Sequence, residues 1–428
     1  MVGDCNEARR RLLVAGTLGL GSAVYSASGH ADAAMGPGAP VDVGSVSGEK
    51  VNFPPIHADS EQPDAPPPNP DAPAQRVGFA VMGLGRLALE NILPAFAQCK
   101  HARLSGLISG DPDKLRAIAA QYGIPKEACY SYQEMSKLRT NATVQVVYVV
   151  IPNALHRDAV LQIAAIGKHV LCEKPMATSV DEARAMIEAC RRAERQLMIA
   201  YRCQYEVCNR ELAKRARSGD LGVIQLIDAI NTQNQGDPNQ WRQVKKLAGG
   251  GSLPDVGLYC LNTTRALLGE EPVEVSATIH SPDDARFREV ESTVSFILRF
   301  PSGMIANCSS SYSMHEHRNF RVLGSTTVAE IANAFGYEGQ KLELSRRDGS
   351  AEAKVELSLG VKNQFSLEMD HMAVCVRNNI RPRTPGEEGL QDQILMAAIY
   401  ESARVGKPVQ LPLVSVRDAF RGPMPSDA

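Results

Sequence analysis

Three stretches of the 428-residue chain hold residue types better suited to chemistry than to packing. In LCEKPMATS (171–179), an apolar run ends on Glu173, Lys174 and Pro175. A strand that is apolar on both faces belongs in a core, so a lysine locked ahead of a proline at its end is placed for a task. In LAGGGSLPDVGLYCLN (247–262), Asp255 and Tyr259 are spaced i, i+4 and share one helix face. Two readings of that segment stand. Ser252 and Asp255 form a capping box, with Pro254 in the first turn and Tyr259 on the core, or Asp255 and Tyr259 face a ligand. In VGFAVMGLGRLALENI (77–92), Gly83-Leu84-Gly85 follows a short apolar strand and opens an amphipathic segment. That is a dinucleotide-binding turn, with glycines for close backbone approach and a helix N-terminus for the pyrophosphate. Ala88 replaces the third glycine and is small enough for close packing.

The next strand, RLSGLISG (103–110), bears on which dinucleotide. An NAD-specific fold usually ends this strand on a carboxylate that binds the ribose hydroxyls. Here Ser109 and Gly110 stand there, followed by Asp111, Lys114 and Arg116. A small hydroxyl removes repulsion and the cations bind a 2′-phosphate, which favours NADP. A one-residue shift would instead present Asp111 to the ribose, and Lys114 also reads as a solvated helix charge. His315-Glu316-His317 has the spacing of a lone i, i+2 pair and is a weak metal signal.

These residues need a sheet to hold them. Val144–Ile151, His169–Cys172 and Gln196–Tyr201 are apolar strands separated by helical segments from about His156 and from Val180 to Glu194. Strands covered on both faces and alternating with helices give a Rossmann-type doubly wound α/β domain. Ligands bind outside the carboxyl ends of such strands. Pro152-Asn153, Glu173-Lys174-Pro175 and Tyr201-Arg202 all fall there. Beyond residue 201, PVEVSATIHS, VESTVSFILRF, GMIANCSSSYS, NFRVLGSTTVAEIA and KLELSRRD alternate, and helical segments follow at 365–378 and 389–405. The expectation is an α+β domain with a large, mostly antiparallel open sheet. One face carries helices and the site, and the other, rich in hydroxyls and apolar side chains, suits subunit pairing.

A net charge of -2 and 5% aromatic residues do not fit a nucleic-acid binder. The N-terminus has Arg9, Arg10 and Arg11, a mild apolar run too short to span a membrane, and Ala31-Asp32-Ala33. Residues 1–33 therefore read as a signal peptide of the twin-arginine type, which exports folded proteins to the periplasm. An ordinary secretory signal is the plainer alternative. Residues 34–76 are a proline-rich arm, either a linker or a strap on a neighbouring subunit or ligand. Residues 77–200 are the nucleotide-binding domain, and 201–428 bind substrate and mediate assembly. The ten cysteines show no paired spacing and read as mostly reduced and buried.

GLG after the first strand, IPNALH (151–156), EKPMA (173–177) and GGGSLPDVGLY (249–259) together resemble the glucose–fructose oxidoreductase/inositol dehydrogenase family. YRCQYE (201–206), QWR (240–242), LLGEEP (267–272) and PGEEGLQD (385–392) are similar to its exported branch, the glucose–fructose and aldose–aldose oxidoreductases. The resemblance runs from Val77 to the C-terminus. It implies cofactor contacts from Gly83, Gly85, Arg86, Leu87, Ser109, Gly110 and Lys114. It adds Ile151, Pro152, Asn153, His156, Glu173, Lys174, Arg202, Trp241, Arg242 and Tyr259. Lys174, Tyr201, Arg202, Asp255 and Tyr259 would bind the sugar, with Gln204 near the ring. Lys174, Tyr259 and Asp255 would be catalytic, and no metal is needed.

The mechanism implied is hydride removal from an aldose C1 with proton removal from its hydroxyl. A phenol is a poor base near neutrality, with a reference pKa of about 10, and an ammonium beside it favours the phenolate. The resemblance further implies tightly held NADP(H), a periplasmic ping-pong cycle between two aldoses that yields a lactone and an alditol, and a homo-oligomer, at least a dimer. Alternatives are sorbitol formation from glucose and fructose, an NAD-dependent glycoside hydrolase, a dehydrogenase exchanging free NADP, and a non-catalytic NADP-binding sensor.

Overall fold

The computed structural model describes residues 45–47, 50–52, 71–72, 74–235 and 237–425. The expected signal peptide and most of the arm lie outside them. The chain divides into Met1–Pro66 and Pro67–Ala428. In the first unit, β1 (Ser45–Ser47) and β2 (Lys50–Asn52) pair antiparallel, a short hairpin within the expected linker.

The second unit holds two sheets. β3 (Val77–Met82), β4 (Ala102–Ile108), β5 (Cys129–Tyr130), β6 (Val146–Val149), β7 (His169–Glu173) and β8 (Leu197–Ala200) form a six-stranded sheet. Its order is β5-β4-β3-β6-β7-β8, and every neighbouring pair is parallel. β3 and β6 are buried at every position, as strands covered on both faces must be. The chain runs outward in one direction from β3 and then in the other from β6. A crevice therefore opens at the carboxyl ends of this pair. Asp111 caps the helix Pro112–Tyr122, its Oδ1 accepting the amides of Asp113 and Lys114 at 3.0 Å each, and Gly123 ends that helix.

The second sheet has nine strands: β9 (Ile224–Asn234), β10 (Glu274–His280), β11 (Thr293–Arg299), β12 (Ile305–Ser311), β13 (Ser313–Gly324), β14 (Thr327–Ala332), β15 (Lys341–Asp348), β16 (Ala351–Leu357) and β17 (Val409–Gln410). The order is β16-β15-β14-β13-β9-β12-β11-β10-β17, antiparallel except for the parallel pair β9–β12. Strict alternation along β11 sends Val294, Phe296 and Leu298 inward and Ser295, Ile297 and Arg299 outward. The inward side chains share one apolar cluster with Leu258 and Leu261 of the helix Leu258–Leu268. Each such burial contributes about 2 kcal/mol, and Phe296→Ala would cost about 3–5 kcal/mol through the cavity it leaves.

The first sheet is also covered from far along the chain. The helix Gln364–Asn378 returns to it and buries Phe365, Met369 and Met372 with Phe79, Val81, Tyr148 and Leu171. Asp370 accepts the amides of Lys100, His101 and Ala102 at 2.7–2.9 Å. One face of the parallel sheet is thus covered by residues far along the chain. The nine described cysteines are unpaired, and all but Cys129 are buried. No described helix is long and apolar enough to cross a membrane.

Candidate active site

Gly83 adopts φ +97°, and a Cβ there would stand 2.2 Å from the Val150 carbonyl oxygen, so only glycine closes this turn. A Cβ at Gly85 would meet nothing within 4 Å, leaving the backbone open to the crevice. Ala88 is fully buried at the start of the π-helical turn Ala88–Ile92. The turn forms one wall of a cleft of about 910 Å³, which Leu87, Ser109, Gly110, Lys114 and Tyr132 also line. Ser109 Oγ accepts the Asp111 amide at 3.2 Å, and the Asp111 carboxylate is engaged as the helix cap. The backbone amide of Lys114, foremost, holds that carboxyl below the usual range. The residues present fit a dinucleotide: an open glycine turn, a helix start, and a hydroxyl with a lysine at the second strand. Arg116 is paired with Asp113 at 2.9 Å and does not line the cleft.

At the other end of the cleft, Asp255 is a hub. It lies in a π-helical turn, Leu253–Gly257, that feeds the helix Leu258–Leu268. Lys174 Nζ donates to its backbone carbonyl at 2.9 Å and to Oδ1 at 3.0 Å. Arg242 Nε and Tyr312 Oη donate to Oδ2 at 3.1 and 2.7 Å. Burial raises the Asp255 pKa, but the charges of Lys174 and Arg242 outweigh it and hold the carboxyl well below its ordinary value. For Lys174, burial acts downward, and Tyr259, Asp255 and Glu173 overcome it, so the ammonium is held above the ordinary lysine value. Lys174 reaches this point from the end of β7, where its bond to Pro175 is cis.

Tyr259 is flanked by two cations. Lys174 Nζ lies 4.5 Å and the Arg202 guanidinium carbon 4.6 Å from its ring centre. Arg202 is itself fixed, donating to the carbonyls of Gly336 and Phe335 and to Gln364 Oε1 at 2.6–2.9 Å. The Arg242 guanidinium stacks on Trp241 at 4.5 Å. A half-buried carboxylate, an ammonium and a phenol thus meet at the end of a nucleotide-sized cleft, an arrangement able to move a proton to or from a bound hydroxyl.

Residues 77–201 match the oxidoreductase family with an NAD-binding Rossmann fold, and residues 209–330 match the GFO/IDH/MocA C-terminal domain. A D-xylose 1-dehydrogenase [NADP(+)] of Haloarcula marismortui is 31% identical over 78% of this chain and 93% of its own. The chain belongs to the GFO/IDH/MocA oxidoreductase family. The crystal structure of an aldose–aldose oxidoreductase from Caulobacter crescentus, complexed with glycerol, is 44% identical. It covers 78% of this chain and 100% of its own, with a TM-score of 0.76. A levoglucosan dehydrogenase complexed with NADH and levoglucosan shares the fold at 20% identity and TM-score 0.70, covering 79% of this chain and 100% of its own.

Of the residues the family resemblance assigned, the cleft brings together Gly83, Gly85, Arg86, Leu87, Ser109, Gly110, Lys114, Ile151, Pro152 and Asn153. Glu173, Lys174, Arg202, Trp241, Arg242, Asp255 and Tyr259 complete it. Three assigned residues stand elsewhere. His156 is fully buried, with one ring nitrogen 2.8 Å from the Ile151 carbonyl and the other 3.0 Å from that of Pro175, so it joins two loops behind the cleft. Tyr201 lines a separate cavity of about 10 Å³ behind Lys174 and Tyr259. Burial and then the Asp392 carboxyl push its phenol well up. Gln204 is also displaced, bonding Asn262, Glu388 and Arg383 in a buried polar network. Tyr201 and Gln204 share a reason: the chain turns at the end of β8 and sends these side chains inward.

The capping-box reading does not hold. Ser252 has helical backbone angles and makes no cap; its hydroxyl meets Ser310 at 3.1 Å. His315 and His317 are exposed on β13, and no group of metal-ligating side chains occurs among the described residues. Sequence reasoning missed Tyr312, Asn231, Phe335 and Tyr337, all on the cleft or its hub. A tyrosine just past the serine-rich strand β12 was the one available signal.

Proposed function

We propose that this protein is a periplasmic sugar oxidoreductase that holds NADP(H) tightly, oxidises an aldose at C1 to its lactone and reduces a second aldose to an alditol. The observation that carries this reading is the Lys174–Asp255–Tyr259 cluster at the end of the nucleotide cleft. The chain's likeness to an aldose–aldose oxidoreductase and to a D-xylose 1-dehydrogenase [NADP(+)] supports the sugar class. Ser109 and Lys114 would take the 2′-phosphate; Asp111 lines the same cleft, with its Oδ1 engaged as the cap of the following helix.

Gly83, Gly85, Ser109 and Lys114 would hold the dinucleotide, whose nicotinamide would supply hydride-transfer chemistry at the sugar C1 in both half-reactions. This chain's residues move the proton. Tyr259 Oη takes it from the anomeric hydroxyl and returns it to the carbonyl oxygen of the second sugar. Lys174 and Arg202 lie against the Tyr259 ring and hold it between them. Asp255 anchors Lys174 and Arg242 and accepts sugar hydroxyls. Twin-arginine export of the folded, loaded protein would explain why a cofactor must be retained outside the cytoplasm. The outer face of β11 and β12, where Ile297 and Ile305 are 44% and 38% exposed, would pair two copies.

Purified protein passed through gel filtration should keep stoichiometric nucleotide, show reduced-nicotinamide absorbance after glucose, and lose it after a second aldose. Loss of nucleotide on the column would point to a dehydrogenase using free NADP. A response to fructose far exceeding that to aldoses would point to sorbitol formation.

A further inference from the structure

Tyr148 is fully buried on β6, beneath the cleft. Its hydroxyl lies 2.8 Å from Glu173 Oε1 and 2.9 Å from Glu368 Oε1. A phenol has one proton to give, so it cannot satisfy two carboxylates. One of the two contacts needs a proton carried by the acid, because two buried anions on one hydroxyl would leave an uncompensated charge in the core.

The surroundings decide which acid carries it. The Arg202 guanidinium acts on both acids, but only Glu173 faces the Lys174 ammonium, and its Oε2 accepts the Lys174 amide at 3.2 Å. Glu368 is fully buried, and its Oε2 finds no partner among the described residues. Burial raises both acids, and Glu368 lies well above the usual range.

We propose that Glu368 is a neutral carboxylic acid whose Oε1 proton is donated to Tyr148, making Glu368 a positioning residue that turns the tyrosine proton onto Glu173. Glu173 then remains a single carboxylate beside the cofactor cleft, held by Tyr148 on one oxygen and the Lys174 amide on the other. Held there, it does not draw the Lys174 ammonium away from Asp255 and Tyr259. Glu368 lies on the helix Gln364–Asn378, so the remote return of the chain onto the first sheet supplies this proton. The functional consequence rests on the sugar-oxidoreductase reading; the protonation state does not.

Infrared difference spectroscopy of the nucleotide-loaded protein at pH 7 tests it without turnover. A protonated-carboxyl C=O band, shifted in D2O, is expected in the wild type and in Glu173→Gln and absent from Glu368→Gln. No difference between wild type and Glu368→Gln, or loss of the band in Glu173→Gln with retention in Glu368→Gln, would overturn the proposal. Tyr148→Phe gives a second check: removing the acceptor should shift the band to higher frequency, and an unmoved band counts against it. For positioning, Glu368→Ala should slow sugar-driven nicotinamide reduction about tenfold, and Glu368→Gln, whose amide supplies the same donor, should recover most of that loss. Equal rates in the two variants would overturn the positioning role. A wild type that is not reduced by any sugar would reject the sugar reading and leave the infrared result standing.

Discussion

Lys174 Nζ sits 4.5 Å from the centre of the Tyr259 ring yet directs its hydrogen bonds to Asp255, at 2.9 and 3.0 Å. The lysine therefore acts on the phenol through its charge and on the aspartate through contact. The side chains of Lys174 and Asp255 are 10% and 17% exposed, so this pairing is little screened by solvent.

Removing the carboxylate charge at Asp255 should release Lys174, Arg242 and Tyr312 together. Asp255→Asn is expected to slow sugar-driven nicotinamide reduction about 100-fold while leaving nucleotide bound, as read by stopped-flow absorbance and by the nucleotide content of the purified variant.

The same pair sets a pH window. The folded Asp255 lies below its ordinary 3.8, so its stabilisation is present above about pH 4 and fades as acid protonates it. Lys174 lies above its ordinary 10.5, so its contribution is present at all lower pH and is lost only in strong alkali. The melting-temperature gap between wild type and Asp255→Asn should therefore be constant from about pH 5 to 9 and shrink below about pH 4. A gap that changes around pH 7 would contradict the assignment.

Ser109→Asp should invert the cofactor preference. A carboxylate there repels a 2′-phosphate and accepts ribose hydroxyls, so the NADP/NAD affinity ratio of the nucleotide-stripped protein should fall about 10- to 100-fold. Lys114→Ala should weaken NADP binding and leave NAD binding nearly unchanged.

Arg421 is fully buried near the C-terminus and bonds Glu388 at 2.9 Å and Glu271 at 3.1 Å, beside Arg265, which pairs with both and with Asp392. Arg421→Ala leaves acids short of a cation and should cost about 3–5 kcal/mol in chemical denaturation. A loss under about 1 kcal/mol would show that the cluster relaxes around the gap.

Much of this was readable along the chain. Apolar runs of strand length, punctuated by Gly83-Leu84-Gly85, Pro152-Asn153 and Glu173-Lys174-Pro175, specify a parallel sheet and the ends where ligands bind. What was not readable depends on distant strands meeting. β9 at the centre of the second sheet mixes polar and apolar residues because its neighbours and the site share its faces, so it lacks a clean alternation. Tyr312 reaches Asp255 only through that sheet, and Glu368 reaches Tyr148 only because a late helix returns to the first. Tyr201 and Gln204 failed for the opposite reason: their position just past a strand end looked right, but the backbone turn there faces them into the interior.

The most direct measurement is a single turnover. Nucleotide-loaded wild type and Tyr259→Phe are mixed with glucose, with no nucleotide added, and reduced-nicotinamide absorbance is followed. Wild type should give a rise stoichiometric with bound nucleotide, slowed at least about 100-fold in Tyr259→Phe. A flat wild-type trace, or equal rates in the two proteins, would contradict the central role of Tyr259 and its two cations.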